Sequence, residues 1–205
     1  MMNKPSLRDI KREATTNALA SAAFELAVER GLDGFIIDDL VQRAGYSRKT
    51  FANHFSCKEE AIAMAAILTT DHYNDEPLNE ITQENILPLD ALYVLIKRSL
   101  TEEYVSKMRQ LVSLSKQYPT LEPYLLSVLS RLQATAQETL IDLSQDRYPQ
   151  GYSHLLSGAV YGAVLAIFDG SINVLLPGQG TTDSPGEMTL DQYLDDMFSY
   201  LRTGF

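Results

Sequence analysis

Residues 35–58 read FIIDDLVQRAGYSRKTFANHFSCK, and this stretch decides the fold. It reads as two short helices joined by a tight turn, followed at once by the start of a third. Residues 38–44 form the first helix, with Leu40 and Val41 apolar and Gln42 and Arg43 outward. Gly45 can take positive φ at a helix end without a Cβ penalty. Tyr46 anchors the turn, and Ser47 suits the N-cap of a second helix over residues 48–55. There Thr50, Phe51 and Phe55 fall at helical spacing, while Arg48, Lys49, Asn53 and His54 remain as donors. A short helix, a Gly-bearing turn and a second helix led by cationic donors make a helix-turn-helix. Arg and Lys suit guanine O6/N7 and Asn suits adenine N6/N7, and each can equally bind phosphate.

Working outward, the run AAFELAVERGLDGFIIDDLVQRAGYSRKTFANHFSCKEEAI resembles the N-terminal DNA-binding domain of the tetracycline-repressor (TetR) family. The resemblance covers about residues 12–66 and is carried by ERGLDG before the motif, AGYSRKTF across the turn and HFSCKEE after it. It implies an all-α protein in which a three-helix DNA-binding domain precedes a helical effector-binding and dimerisation domain. It also implies roles for single residues. Arg48, Lys49 and Asn53, with Ser47 at the helix start, would meet DNA. Thr50 and His54 stand at positions that usually contact phosphate. Lys58 matches the family's phosphate-binding lysine at the start of the next helix, where side chain and helix dipole act together. Lys11 and Arg12 lie toward the end of the first helix that approaches the DNA backbone. Two departures stand out: Ala52 replaces a common aromatic, and Ile36 and Ile37 replace the Ser or Thr that usually precedes the first motif helix.

Charge is unevenly spread. The chain of 205 residues has 17 Lys/Arg and 27 Asp/Glu, a net charge of −10. Nine of each lie in residues 1–60, which therefore sum to zero, and the remainder carries the whole excess. An acidic body is repelled by phosphate and orients the neutral end toward DNA. The single Cys57 excludes a disulfide framework and points to a reducing, cytoplasmic setting. The N-terminal residues show no apolar segment of the signal-peptide kind. Residues 155–176 alone approach membrane length. Asp169 near their middle would cost about 2.5–3.5 kcal/mol on insertion, so they read as a buried helix and no membrane partner is expected.

A first long helix is expected over about residues 7–30, capped by Ser6 and Asp9. After the motif, Ser56 and Glu59 read as a capping box for a connecting helix reaching about residue 73. The reading divides the chain into a DNA-binding domain (1–55), a connecting helix (56–73) and an effector and dimerisation domain (74–205), with a polar loop over 71–84. Further on, helices are expected from Pro88 with a break near 100–103, over 121–143, over 153–176, and from Thr189 to Gly204. Gly158, Gly162, Ala166 and Gly170 recur every four residues, and residues 177–186 read as a loop.

For enzymes the inventory is thin. His54, His72 and His154 are scattered, no HExxH, P-loop, GxSxG or GxGxxG occurs, and neighbouring carboxylates such as Glu102 and Glu103 diverge on a helix. Neither enzyme activity, cofactor nor metal is expected. Cys57 beside Lys58 at a helix start could have a lowered pKa, although a small residue in a helix cap is the plainer reading. The resemblance implies a homodimer on a double-stranded operator, most often a repressor. A small-molecule effector would enter the C-terminal helices. Tyr supplies an apolar body with a polar tip, which suits such a pocket. Tyr93, Met108, Tyr124 and Tyr161 are the candidate liners of a cavity of about 300–1,000 Å³ for a largely apolar ligand. Lys97, Arg98, Lys107, Arg109 and Lys116 leave an anionic ligand open, though none reads as inward. The alternative is an adaptor that keeps the fold without sequence-specific DNA binding and acts through a protein partner.

Overall fold

Capping, apolar spacing and left-handed glycines set where each helix of the chain begins and ends. The computed structural model describes residues 6–68, 86–144, 148–176 and 188–204. Over these the chain forms nine α-helices: α1 (Leu7–Arg30), α2 (Ile37–Ala44), α3 (Arg48–Ala52), α4 (Lys58–Leu68), α5 (Pro88–Ser99), α6 (Glu102–Gln117), α7 (Glu122–Ser144), α8 (Gln150–Phe168) and α9 (Leu190–Thr203). Among the described residues the sole strand-like pairing is a single parallel bridge between Leu175 and Thr189. The expected loops at 71–84 and 177–186, Tyr73 and the boundary near Asn74 fall outside the described residues.

The packing separates two units, Met1–Thr69 with Ser113–Val128, and Thr70–Val112 with Leu129–Phe205. In the first, α1 is held at its start by the expected box: Asp9 N–H donates to Ser6 Oγ (3.3 Å) and Ser6 N–H to Asp9 Oδ2 (3.1 Å). Its buried face (Leu19, Ala20, Ala22, Ala23, Phe24, Leu26, Ala27) packs on α2 and α4. Alanines on α1 and on α4 (Ala61, Ala63, Ala65, Ala66) let the two backbones lie close. Gly31 ends α1 at φ +72°, and a Cβ there would collide with the hydroxyl of Tyr118. The turn Pro119–Leu121 packs on α4, and Leu121, Leu125 and Val128 are buried.

The second unit is knitted by aromatic and ionic contacts. Tyr93 of α5 meets Phe198 of α9 edge to face at 5.0 Å and donates its hydroxyl to Asp195 (2.5 Å). Lys97 bridges Asp191 and Asp195, each at 3.2 Å, and Arg202 pairs with Asp90 at 2.7 Å. Tyr104 of α6 meets Phe168 of α8 at 5.8 Å, and Tyr193 of α9 donates to the Ala163 carbonyl (3.0 Å). The expected break between α5 and α6 is present at Leu100–Thr101, where Thr101 Oγ1 accepts from Tyr104 N–H (3.2 Å).

Helix α8 is shorter than expected. It stops at Phe168, with Asp169 as its C-cap and Gly170 at φ +80° immediately after. Asp169 Oδ1 accepts from Ser171 N–H (2.7 Å), a local turn that competes with the next helical turn. Asp169 therefore terminates the helix and does not interrupt it, and Gly170 leaves the row of small residues. Gly151–Phe168 remains long and apolar enough to cross a membrane by length and composition, with 39% of it buried in the protein.

Candidate nucleic-acid interface

Helix α2 buries Leu40 and Val41 and is closed by Gly45 at φ +75°, ψ 27°. Tyr46 N–H then reaches back to the Val41 carbonyl at 2.9 Å, satisfying an orphan acceptor at the helix end. At the start of α2, where Ser or Thr was missing, Asp39 fills in: its Oδ2 accepts from Ile36 N–H at 2.9 Å. Ser47 caps α3, accepting from Thr50 N–H at 3.1 Å, and its hydroxyl also meets Thr50 Oγ1 at 2.9 Å. Phe51 and Phe55 are buried with ring centroids 5.8 Å apart and anchor the segment. The turn geometry is that read from the sequence, but Tyr46, expected to anchor the turn, is exposed, and Phe51 and Phe55 do the anchoring.

The second motif helix is shorter than the 48–55 expected. It ends at Ala52, and Asn53 N–H is shared between the Lys49 (3.2 Å) and Thr50 (3.1 Å) carbonyls, tightening the last turn. Asn53 and His54 thus lie beyond its last helical residue. Arg48, Lys49, Ala52 and Asn53 are exposed, and Thr50 and His54 are half-buried.

Two of the cations expected to meet DNA already have protein partners. Arg48 forks onto Asp38: Nη2 donates to Oδ2 at 2.7 Å and Nε to Oδ1. Both side chains stay exposed, at 65% and 55%, so the pair contributes at most about 1 kcal/mol and yields to a stronger anion. Lys58 is bound more firmly. Its ammonium donates to the carbonyls of Leu32 and, at 3.1 Å, Phe35, and lies 4.9 Å from the centre of the Phe35 ring. It ties α4 to the turn before α2. Lys49 is exposed and makes no ion pair among the described residues.

On α1, Lys11 and Arg12 are exposed, and the structure brings Arg12 to the far side of the motif. His54 Nδ1 lies 2.8 Å from Thr16 Oγ1, one turn along from Arg12. Thr16 donates its single hydroxyl proton to the Arg12 carbonyl (2.9 Å), so His54 Nδ1 carries the proton in their mutual bond. The ring then presents Nε2 as its other nitrogen. Burial, and to a lesser degree the Arg12 charge, hold the imidazole below its ordinary pKa. Thr16 was not singled out from sequence, and Asp38 was expected to cap α2, a bond that Asp39 makes while Asp38 holds Arg48. Both act through contacts between segments ten or more residues apart, which no local pattern announces.

The start of α4 differs by one residue from expectation. Glu60 replaces Glu59 as the reaching acid, its Oε2 accepting from Ser56 N–H and Oγ at 2.6 Å each. Cys57 becomes the cap, its Sγ accepting from Glu60 N–H at 3.4 Å.

The four candidate effector residues divide between the two units. Met108 is fully buried on α6, and Tyr161 half-buried on α8. Tyr93 is engaged in the α5–α9 seam. Tyr124 belongs to the other unit, where its hydroxyl bonds Cys57, the contact that pushes the phenol pKa up.

Residues 19–63 match the family described as bacterial regulatory proteins, tetR family. Among solved structures, one described as a TetR-family transcriptional regulator from Mesorhizobium loti MAFF303099 has a similar fold. It shares 17% identity over 92% of this chain and 95% of its own, with a TM-score of 0.54. A transcriptional regulator from Rhodococcus sp. Rha1 shares 22% identity over 92% of this chain and 96% of its own, with a TM-score of 0.48. No curated protein matches the chain. The matched span contains α2, the turn, α3 and the first turn of α4, so residues 19–63 carry the helix-turn-helix of a DNA-binding domain of the tetR-family type.

Proposed function

We propose that this regulator is a homodimeric repressor that leaves its operator when a small, largely apolar molecule occupies its C-terminal helical unit. The observation that carries the DNA arm is α3, capped by Ser47, anchored by Phe51 and exposing Arg48 and Lys49. Two such helices in a dimer would enter successive major grooves, with half-site centres about 34–36 Å apart or somewhat more. Lys11, Arg12, Thr50, Asn53, His54 and Lys58 complete the proposed contact set, and the protein would act in the cytoplasm.

The dimer reading rests on α8. Its residues Ser153, Leu156, Ser157, Val160, Val164, Ile167 and Phe168 are buried within the protomer. The opposite face carries Leu155, Ala159 and Gly162, all exposed, and Leu155 is 77% accessible. Small residues on an apolar face let a second helix approach closely, and α9 would complete a four-helix seam with the partner's copies.

The effector reading follows linkage. A ligand shifts the equilibrium only by its different affinity for the DNA-competent and released states. Titrating a library of hydrophobic compounds into the protein bound to its upstream DNA tests this. Release of DNA by a compound that binds the free protein supports the reading, and indifference across the library refutes it.

A second reading has an observation in its favour. Arg48 and Lys58 are engaged by Asp38 and by two carbonyls, and Ala52 offers no aromatic contact. These features fit an adaptor that acts through a protein partner. Salt-dependent gel shifts on upstream DNA separate the two: no shift at any salt concentration leaves the adaptor standing.

A further inference from the structure

Arg109 sits on α6 in line with Val105 and Val112, four residues before it and three after, and both valines are buried. That spacing places a guanidinium on an apolar helix face. Its Nε donates to the Ile167 carbonyl at 3.0 Å, one of the last acceptors of α8. Its Nη2 is shut off from solvent and has no hydrogen-bond partner. A guanidinium is charged at all accessible pH and carries five N–H donors in a fixed fork. Leaving one arm dry and unpaired costs free energy that a folded protein rarely tolerates without a use. The favourable end of the α8 dipole explains the position of Nε, not the idle Nη2.

The surroundings are of the kind that grips an amphiphile. Tyr104 of α6 is buried against Phe168, next along the chain from Ile167. Burial first, and the neighbouring Tyr161 phenol second, push the Tyr104 pKa far up, so both rings remain neutral, apolar bodies with hydroxyl tips. Met108, adjacent to Arg109, is fully buried.

We infer that the effector is a small monoanion with an apolar body, whose carboxylate-type head takes the open arm of Arg109 between α6 and α8. This rests on the effector reading given above and narrows it: the ligand is amphiphilic, not merely apolar. The idle N–H defines the chemistry, because a charged donor in an apolar surround discriminates for an anionic acceptor and against a neutral isostere.

The test uses matched probes on the full chain: octanoate with octanamide, and 4-phenylbutyrate with its amide, each titrated calorimetrically and scored for release of upstream DNA. The inference expects the acid of at least one pair to bind roughly ten- to a hundredfold tighter than its amide, the range of a charge-assisted hydrogen bond. In Arg109→Met that preference disappears, while Arg109→Lys retains part of it. If Arg109→Met does not fold, the acid–amide ratio in the unaltered protein still decides. Equal binding of acid and amide, with DNA released by both, overturns the anion inference and leaves the effector reading intact. Failure of all four probes to bind also overturns it for these bodies, and the hydrophobic library then tests the broader reading by itself. An Arg109→Met protein that is less heat-stable, yet prefers acid over amide as before, assigns Arg109 to capping α8 alone and overturns the inference.

Discussion

Replacing Asp38 with Asn is expected to strengthen DNA binding. In the free protein Asp38 holds Arg48 through Nη2–Oδ2 at 2.7 Å and a second bond from Nε. Both side chains are more than half exposed, so the pair stabilises the fold by about 0–1 kcal/mol and its loss should barely shift thermal denaturation. Release of Arg48 returns up to that amount to the complex. Removing the carboxylate also removes a like charge facing phosphate, worth roughly 0.5 kcal/mol at about 8 Å in water. Together these give about 0.5–1.5 kcal/mol, or roughly two- to twelvefold tighter binding. Fluorescence anisotropy of an upstream duplex across a salt series reads both affinity and contact type. The slope of log K against log salt should steepen by about 0.9 if the freed Arg48 takes a phosphate, and stay constant if it reads a base. An Asp38→Asn protein with unchanged melting that binds DNA tenfold more weakly would refute this reasoning and make Asp38 the residue that aims Arg48.

Three further outcomes are expected. Lys58→Ala should destabilise the first unit by about 1.5–3 kcal/mol, because two carbonyls lose a charged donor, and urea unfolding by circular dichroism checks it. Gly162→Leu should leave the protomer folded, since nothing lies within 4 Å of a Cβ there, yet lower dimer stability by about 1–3 kcal/mol or more in sedimentation equilibrium. His54, with its folded pKa lowered, leaves the unfolded chain binding more protons between that value and about 6.5, so stability should rise with pH through this window and fall as pH drops through it. His54→Gln should flatten that slope in thermal melts taken across the same range.

Much of the first unit was legible in the sequence because its determinants are local. Ser6 with Asp9, Gly45, Ser47 with Thr50, and Phe51 with Phe55 act within a few residues of one another, and each acts as its spacing implied. Thr189 with Gln192 does the same for α9. The misreadings fall where two local options compete. Asn53 tightens the end of α3, Glu60 takes the bond assigned to Glu59, and Asp169 with Gly170 stops α8 eight residues early. Long-range placement was not legible. Nothing near Tyr118 and Tyr124 in sequence shows that they join the DNA-binding unit, at Gly31 and Cys57. Arg109 is instructive, since the Val105–Arg109–Val112 spacing carried the sign of an inward cation, hidden by Lys107 and Gln110 beside it.

The central claim is that this chain reads DNA through α3. Binding of the full protein to its upstream duplex, compared with Arg48→Ala/Lys49→Ala at several salt concentrations, tests it most directly. The account predicts salt-sensitive binding by the unaltered protein and a loss on the order of 1–3 kcal/mol for each side chain that reads a base. A double variant that folds normally and binds the same duplex with undiminished affinity would contradict it.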